Sequence, residues 1–153
     1  MNDLNNVTPL RRPKPKPQKP VFDVRDPKSQ VVLVYGLSIA SFAIMLFGNQ
    51  FVDWIGMGLG FAALVVSASK RDEGVFWARS HFEFALRTLI IAAVGWLLIS
   101  MLGLVLGLIP FLGPAVLFLA KAVIFVWVAL RSGVGFVKAS KTKVIDNPVT
   151  WLI

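Results

Sequence analysis

The fold this sequence predicts is all-α: a polytopic membrane protein built as a bundle of four transmembrane helices. Three observations predict it. Of 153 residues, 56% are hydrophobic, and the mean hydropathy is +0.72; a soluble domain of this size cannot hide so much apolar side chain. The apolar residues gather in four runs, each long enough, or nearly so, to cross a bilayer. The bases flanking those runs fall at alternate ends only.

The chain opens on a basic head, residues 1–27, in which Arg11-Arg12-Pro13-Lys14-Pro15-Lys16-Pro17-Gln18-Lys19-Pro20 alternates bases with prolines. Proline forbids helix and sheet there, so a disordered segment sampling polyproline II is expected, its charges pointing outward. Either it is a solvated topology determinant that also adheres to anionic lipid, or it docks to an acidic partner or a proline-recognition groove.

The transmembrane domain is expected over residues 28–132. Its first span, 31–47, is entered through Asp26-Pro27, a side-chain N-cap followed by proline at the first helical position. The second span, 52–69, stops at Lys70-Arg71; the third, 88–109, stops at Ile109-Pro110; the fourth, 114–130, stops at Arg131. Helical rise makes such spans roughly 26–33 Å long, the thickness of the hydrocarbon layer. The first run begins too late and is too long for a cleaved signal peptide, so an uncleaved anchor is expected. Residues 133–153 remain as a tail.

Sidedness follows from charge. Bases occupy the head, the central loop (Lys70, Arg71, Arg79, Arg87) and the tail (Arg131, Lys138, Lys141, Lys143), whereas the turns around Gly48-Asn49-Gln50 and Pro110-Phe111-Leu112-Gly113 carry none. The positive-inside rule then places both termini and the central loop in the cytoplasm. The net charge of +8 lies beside apolar spans, so an anionic lipid surface is the expected partner rather than nucleic acid.

Little material for catalysis is present. The chain has no cysteine, which excludes disulfides, thiol chemistry and cysteine-ligated metal. One histidine and eight carboxylates, most of them beside bases, offer no metal-ligand spacing. Paired carboxylates, a Ser/His/Asp set, H-E-x-x-H and a phosphate-binding glycine loop are absent from the sequence. No enzyme activity, cofactor or metal is expected.

The central loop is the richest stretch. Ser80 followed three residues later by Glu83 reads as a capping box, with a helix starting near His81 and running on into the third span. Phe82, Leu86 and Leu89 would then share one face, with His81 and Arg87 set off from it. His81 reads either as a structural group or as a proton-handling one. Lys121 is the formal charge well inside a span, with Asp53 its obvious partner; it is either a snorkelling lysine paired with Asp53 or headgroup phosphate, or a contact for substrate, ion or another subunit. Gly56 with Gly60, and Gly103 with Gly107, are spaced for close helix approach, within the chain or between copies.

Two patterns taken together resemble a known family. Trp77-Ala78-Arg79-Ser80-His81-Phe82 through Arg87-Thr88, and Asn147-Pro148-Val149-Thr150-Trp151-Leu152, are similar to motifs of a family of small, uncharacterised bacterial four-helix inner-membrane proteins. That family is distantly grouped with the twenty-kilodalton membrane subunit of the chloroplast inner-envelope import translocon. The resemblance covers roughly residues 28–153, on matching positions Ser80, His81, Arg87, Thr88, Pro148, Thr150 and Trp151. It implies architecture and an inner-membrane location, and no activity. One expectation joins the two motifs: the tail docks beside the His81–Arg87 helix, anchored by Trp151.

The functional expectation is a non-enzymatic subunit, adaptor or scaffold of a membrane complex, meeting a membrane-protein partner or forming a homo-oligomer. The alternative is a transport or channel component with Lys121 and Asp53 on its path, although so few polar residues do not readily line a pore. A membrane-active lysis protein is a third reading.

Overall fold

The computed structural model describes residues 25–48, 50–148 and 150. The proline-rich head up to residue 24 and Trp151 lie outside the described residues. The described chain consists of α1 (Pro27–Phe47), α2 (Gln50–Lys70), α3 (Phe76–Leu106) and α4 (Leu112–Ser140). All four are long and apolar enough to cross a membrane, so the protein is a multi-pass, all-α membrane protein.

Helix α1 starts where the sequence places it. Asp26 is extended and accepts a hydrogen bond from the Ser29 N–H, and Pro27 fills the first turn. Helix α3 does not start at the expected capping box. It begins at Phe76 after an extended Val75 that offers no side-chain cap. Ser80 is already one turn inside, its hydroxyl donating to the Trp77 carbonyl at 2.7 Å. Glu83 faces sideways between Arg87 at 2.6 Å and Arg71 at 3.2 Å, tying the α2–α3 corner. The continuation into the third span holds, because α3 is one unbroken helix. That span closes earlier than Ile109-Pro110 suggests, with Gly107 as C-cap after Leu106. Helix α4 passes Arg131 and ends at Ser140.

Each helix packs on the next, α4 returns against α1 to close the ring, and α1 touches α3 across the diagonal. Helices α2 and α4 occupy opposite corners and do not meet. Close approach of α1 and α2 rests on Gly56 and Gly60. A Cβ at Gly56 would stand 2.7 Å from Met45 Cγ, and one at Gly60 2.6 Å from Ser41 Oγ. The space so freed lets the Ser41 hydroxyl donate to the Gly56 carbonyl at 2.7 Å. This pair of glycines therefore serves packing within the chain.

The core has two stations. Near the basic end, Val31, Val34, Tyr35, Ala78, Phe82, Ala139 and Ile145 pack together. Farther along, Phe42, Ala63, Leu89, Ala92, Trp96 and Val128 form the second. The ring is uneven at the end away from the bases. The last residue of α1, Phe47, meets Phe125 of α4, and Phe42 meets Trp96 of α3. Phe47 lies five residues above Phe42, so residues 102–106 of α3 run on past the end of α1, about 8 Å by helical rise. That overhang is apolar all round: Leu102 is 51% exposed, Leu104 79%, Leu108 81% and Phe111 91%. Each such side chain costs about 1.5–3 kcal/mol in water relative to burial, a cost the hydrocarbon layer removes.

Candidate functional site

A cluster of buried polar residues lies at the basic end, where α1, α3, α4 and the tail meet. Three side chains organise this region: Tyr35, His81 and Arg131, each at most 1% exposed.

His81 is not set off from the apolar face of α3 but sits in the middle of it. The buried stripe runs Ala78, His81, Phe82, Ala85, Thr88, Leu89, Ala92, Trp96, the three- and four-residue spacing of a helix face turned to a core. A histidine is tolerated there because both ring nitrogens are bonded. Nε2 lies 2.8 Å from the Lys143 carbonyl oxygen, and Nδ1 lies 2.9 Å from the Tyr35 hydroxyl. A carbonyl only accepts, so Nε2 carries the proton. Nδ1 is then the acceptor, and the Tyr35 hydroxyl donates to it. One neutral ring thus links α1, through α3, to the tail, with edge-on contacts from the rings of Tyr35 and Trp77 on either side.

Tyr35 reaches His81 because α4 has no side chain in the way. A Cβ at Gly135 would overlap the Tyr35 ring at Cζ and Oη. Glycine at 135 is therefore a matter of space rather than of backbone conformation.

Arg131 enters the bundle one helical turn before Gly135. Its Nε–H donates to Thr88 Oγ1 at 2.8 Å, and Thr88 in turn donates to the Phe84 carbonyl at 2.7 Å. The guanidinium lies over the Phe84 ring at 4.0 Å and beside the Trp127 ring at 5.5 Å. Cation–π contact of this kind is stronger away from water. The planar fork suits such stacking, and lysine would not reproduce it.

The tail lies across this end. Beyond the Lys138–Lys141 turn, the Ile145 N–H donates to Ser80 Oγ at 3.2 Å, and Ile145 itself is 5% exposed in the core. Two hollows flank it. One of about 440 Å³ is lined by Arg71, Phe76, Arg79, Glu83, Ile145 and Pro148. The other, of about 180 Å³, is lined by Phe84, Val134, Lys138, Ile145, Asn147 and Thr150.

Of the residues singled out in the sequence, the structure thus joins Ser80, His81 and Thr88 to the tail and to α4, and Pro148 and Thr150 of the tail line the two hollows. Arg87 faces outward on Glu83. Lys121 and Asp53 do not pair: they stand on opposite corners of the ring, since α2 and α4 do not meet. Lys121 Nζ rests over the Trp96 ring at 5.0 Å instead. The sequence does not single out Tyr35 or Gly135, and Arg131 reads there only as the charge that ends a span. Their available signals were slight: Tyr35 is the one tyrosine of the chain, and Arg131 opens the small-residue run Ser132-Gly133-Val134-Gly135.

The clasp has a direct test. Combining His81→Phe with Ser80→Ala removes both hydrogen bonds to the tail and leaves the helices in place. Trypsin cleavage after Lys141 and Lys143 is expected to accelerate at least tenfold in detergent micelles, with cleavage in the 71–79 corner unchanged. Unaltered tail cleavage would show that these bonds do not hold it. Comparison with protein-family models, with curated proteins and with solved structures returns no match.

Proposed function

We propose that the protein is a non-enzymatic subunit or scaffold of a bacterial inner-membrane complex, with its basic end in the cytoplasm. The observation that carries this reading is the clasp. Its polar groups are engaged with one another, in a chain from Tyr35 through His81 to the tail and in a second from Arg131 through Thr88. Groups bonded in this manner brace a surface. The surface they brace joins the α2–α3 corner to the tail, a cytoplasmic platform for a partner.

The orientation is supported by charge: Lys70, Arg71, Arg79, Arg87, Lys138 and Lys141 gather at one end, and the two opposite turns carry no base. The same bases suit anionic lipid at that surface. The two motifs similar to those of the bacterial four-helix family meet at this platform, Ser80 and His81 from one and Pro148 and Thr150 from the other, which supports membership of that family.

Purification from native membranes into polymer nanodiscs, followed by mass spectrometry, tests the role. A second membrane protein is expected at a fixed stoichiometry, lost on His81→Phe with Ser80→Ala. A homo-oligomer without any other protein would contradict the subunit role and favour a transport element.

A further inference from the structure

The uneven height of the bundle has a consequence for the membrane. The α3–α4 overhang is apolar on its whole circumference, so it belongs in hydrocarbon. From the Pro110 turn to the Thr88–Arg131 pair is about 28 Å by helical rise, one hydrocarbon thickness. The outward charges Arg79, Glu83, Arg87 and Lys138 all lie beyond that pair, toward the basic end. With the layer so placed, the α1–α2 turn does not reach the far surface. It stops about 8 Å short of the end of α3, because Phe42 meets Trp96 and α1 ends five residues above Phe42.

Charge sits at or near that depth. Lys121 is one turn from Phe125 on α4, half-buried with its ammonium over Trp96. It has no carboxylate within 4 Å among the described residues, Asp53 being on the opposite corner. Asp53 stands in the first turn of α2, one of its carboxylate oxygens buried without a hydrogen-bond partner among the described residues. A short hydrophobic segment is accommodated by thinning the bilayer around it, and a lysine in the hydrocarbon draws polar groups toward itself.

We propose that the α1–α2 turn is a polar notch sunk below the surface of the leaflet away from the basic end, and that Lys121 there holds the phosphodiester of a phospholipid headgroup drawn down beside it. Phosphate supplies the anion that the described residues do not place near the ammonium. The overhang supplies the apolar wall along which the acyl chains lie. This inference rests on helix heights and is independent of which leaflet faces the cytoplasm and of the proposed role.

The chain has no cysteine, so single cysteines report cleanly. Phe51→Cys and Phe111→Cys, both at exposed positions, carry a bimane label in full-length protein in liposomes, quenched by spin labels at set acyl depths. The label at 51 is expected about 8 Å deeper than the label at 111. Equal depths overturn the notch. For the headgroup, protein in nanodiscs of phosphatidylethanolamine and phosphatidylglycerol is moved to detergent and washed, and retained phosphorus is measured in the organic and aqueous extracts. The wild type and Lys121→Arg are expected to retain at least one lipid phosphorus per chain, and Lys121→Met to lose it. Retention unchanged in Lys121→Met, or phosphorus found only in the aqueous extract, overturns the headgroup assignment. So does a disulfide between copies of the Asp53→Cys and Lys121→Cys variants, which would make the second copy the counter-ion.

Discussion

Valine at position 135 is expected to destabilise the protein by about 2–4 kcal/mol, read from reversible unfolding in mixed dodecylsulfate micelles. Two effects add. Extra methyl groups in a packed interior cost about 1–3 kcal/mol, and here the first new atom falls on the Tyr35 ring. Tyr35 must then withdraw from His81, leaving Nδ1 buried without its donor, a further cost of about 1–3 kcal/mol. Gly133→Ala is the control. Nothing stands within 4 Å of a Cβ at 133, so alanine is expected to leave stability unchanged or to raise it by up to about 1 kcal/mol, the helix propensity gained. Equal losses at 133 and 135 would show a general intolerance of α4 and no specific contact with Tyr35.

Arg131→Ala is expected to be as damaging, at about 3–5 kcal/mol, comparable to truncating a large aromatic side chain in a core. The side chain is 1% exposed and fills the space between Phe84, Trp127 and Thr88. Arg131→Met separates volume from charge. Methionine refills most of the space, and Thr88 keeps its bond to the Phe84 carbonyl, so no donor is orphaned. Replacing a buried charge by an apolar side chain of similar volume is often neutral or stabilising. The expected order is therefore wild type near Met, and both well above Ala. A methionine variant that is stable yet copurifies without a second membrane protein, where the wild type retains one, would place the guanidinium's purpose in function and not in folding. A methionine variant as unstable as alanine would show that the charge itself holds α3 to α4.

The contrast between what was legible in the sequence and what was not is physical. The four helices were legible because a bilayer demands long apolar runs and punishes charge within them. The start of α1 was legible because a cap is a local event: Asp26, Pro27 and Ser29 are neighbours. The start of α3 misled, since a serine and a glutamate three apart occur inside helices too. Ser80 is engaged by Ile145, 65 residues away, and Glu83 by Arg71. His81 looked peripheral for the same reason, as nothing nearby in sequence reveals that Tyr35 and Lys143 will bond both its nitrogens. The pairing of Lys121 with Asp53 failed on ring order, because no local pattern states which helices share a corner.

One neutral histidine, bonded at both ends, clasps α1 to the tail. His81 is the chain's one histidine, so protein labelled with ¹⁵N-histidine in nanodiscs gives imidazole signals that need no assignment. At neutral pH, solid-state NMR is expected to show a pyrrole-type Nε2 and a pyridine-type Nδ1 shifted by an accepted hydrogen bond. Tyr35→Phe is expected to remove the Nδ1 shift and leave Nε2 in place. A proton on Nδ1, or an Nδ1 signal indifferent to Tyr35→Phe, would contradict the clasp.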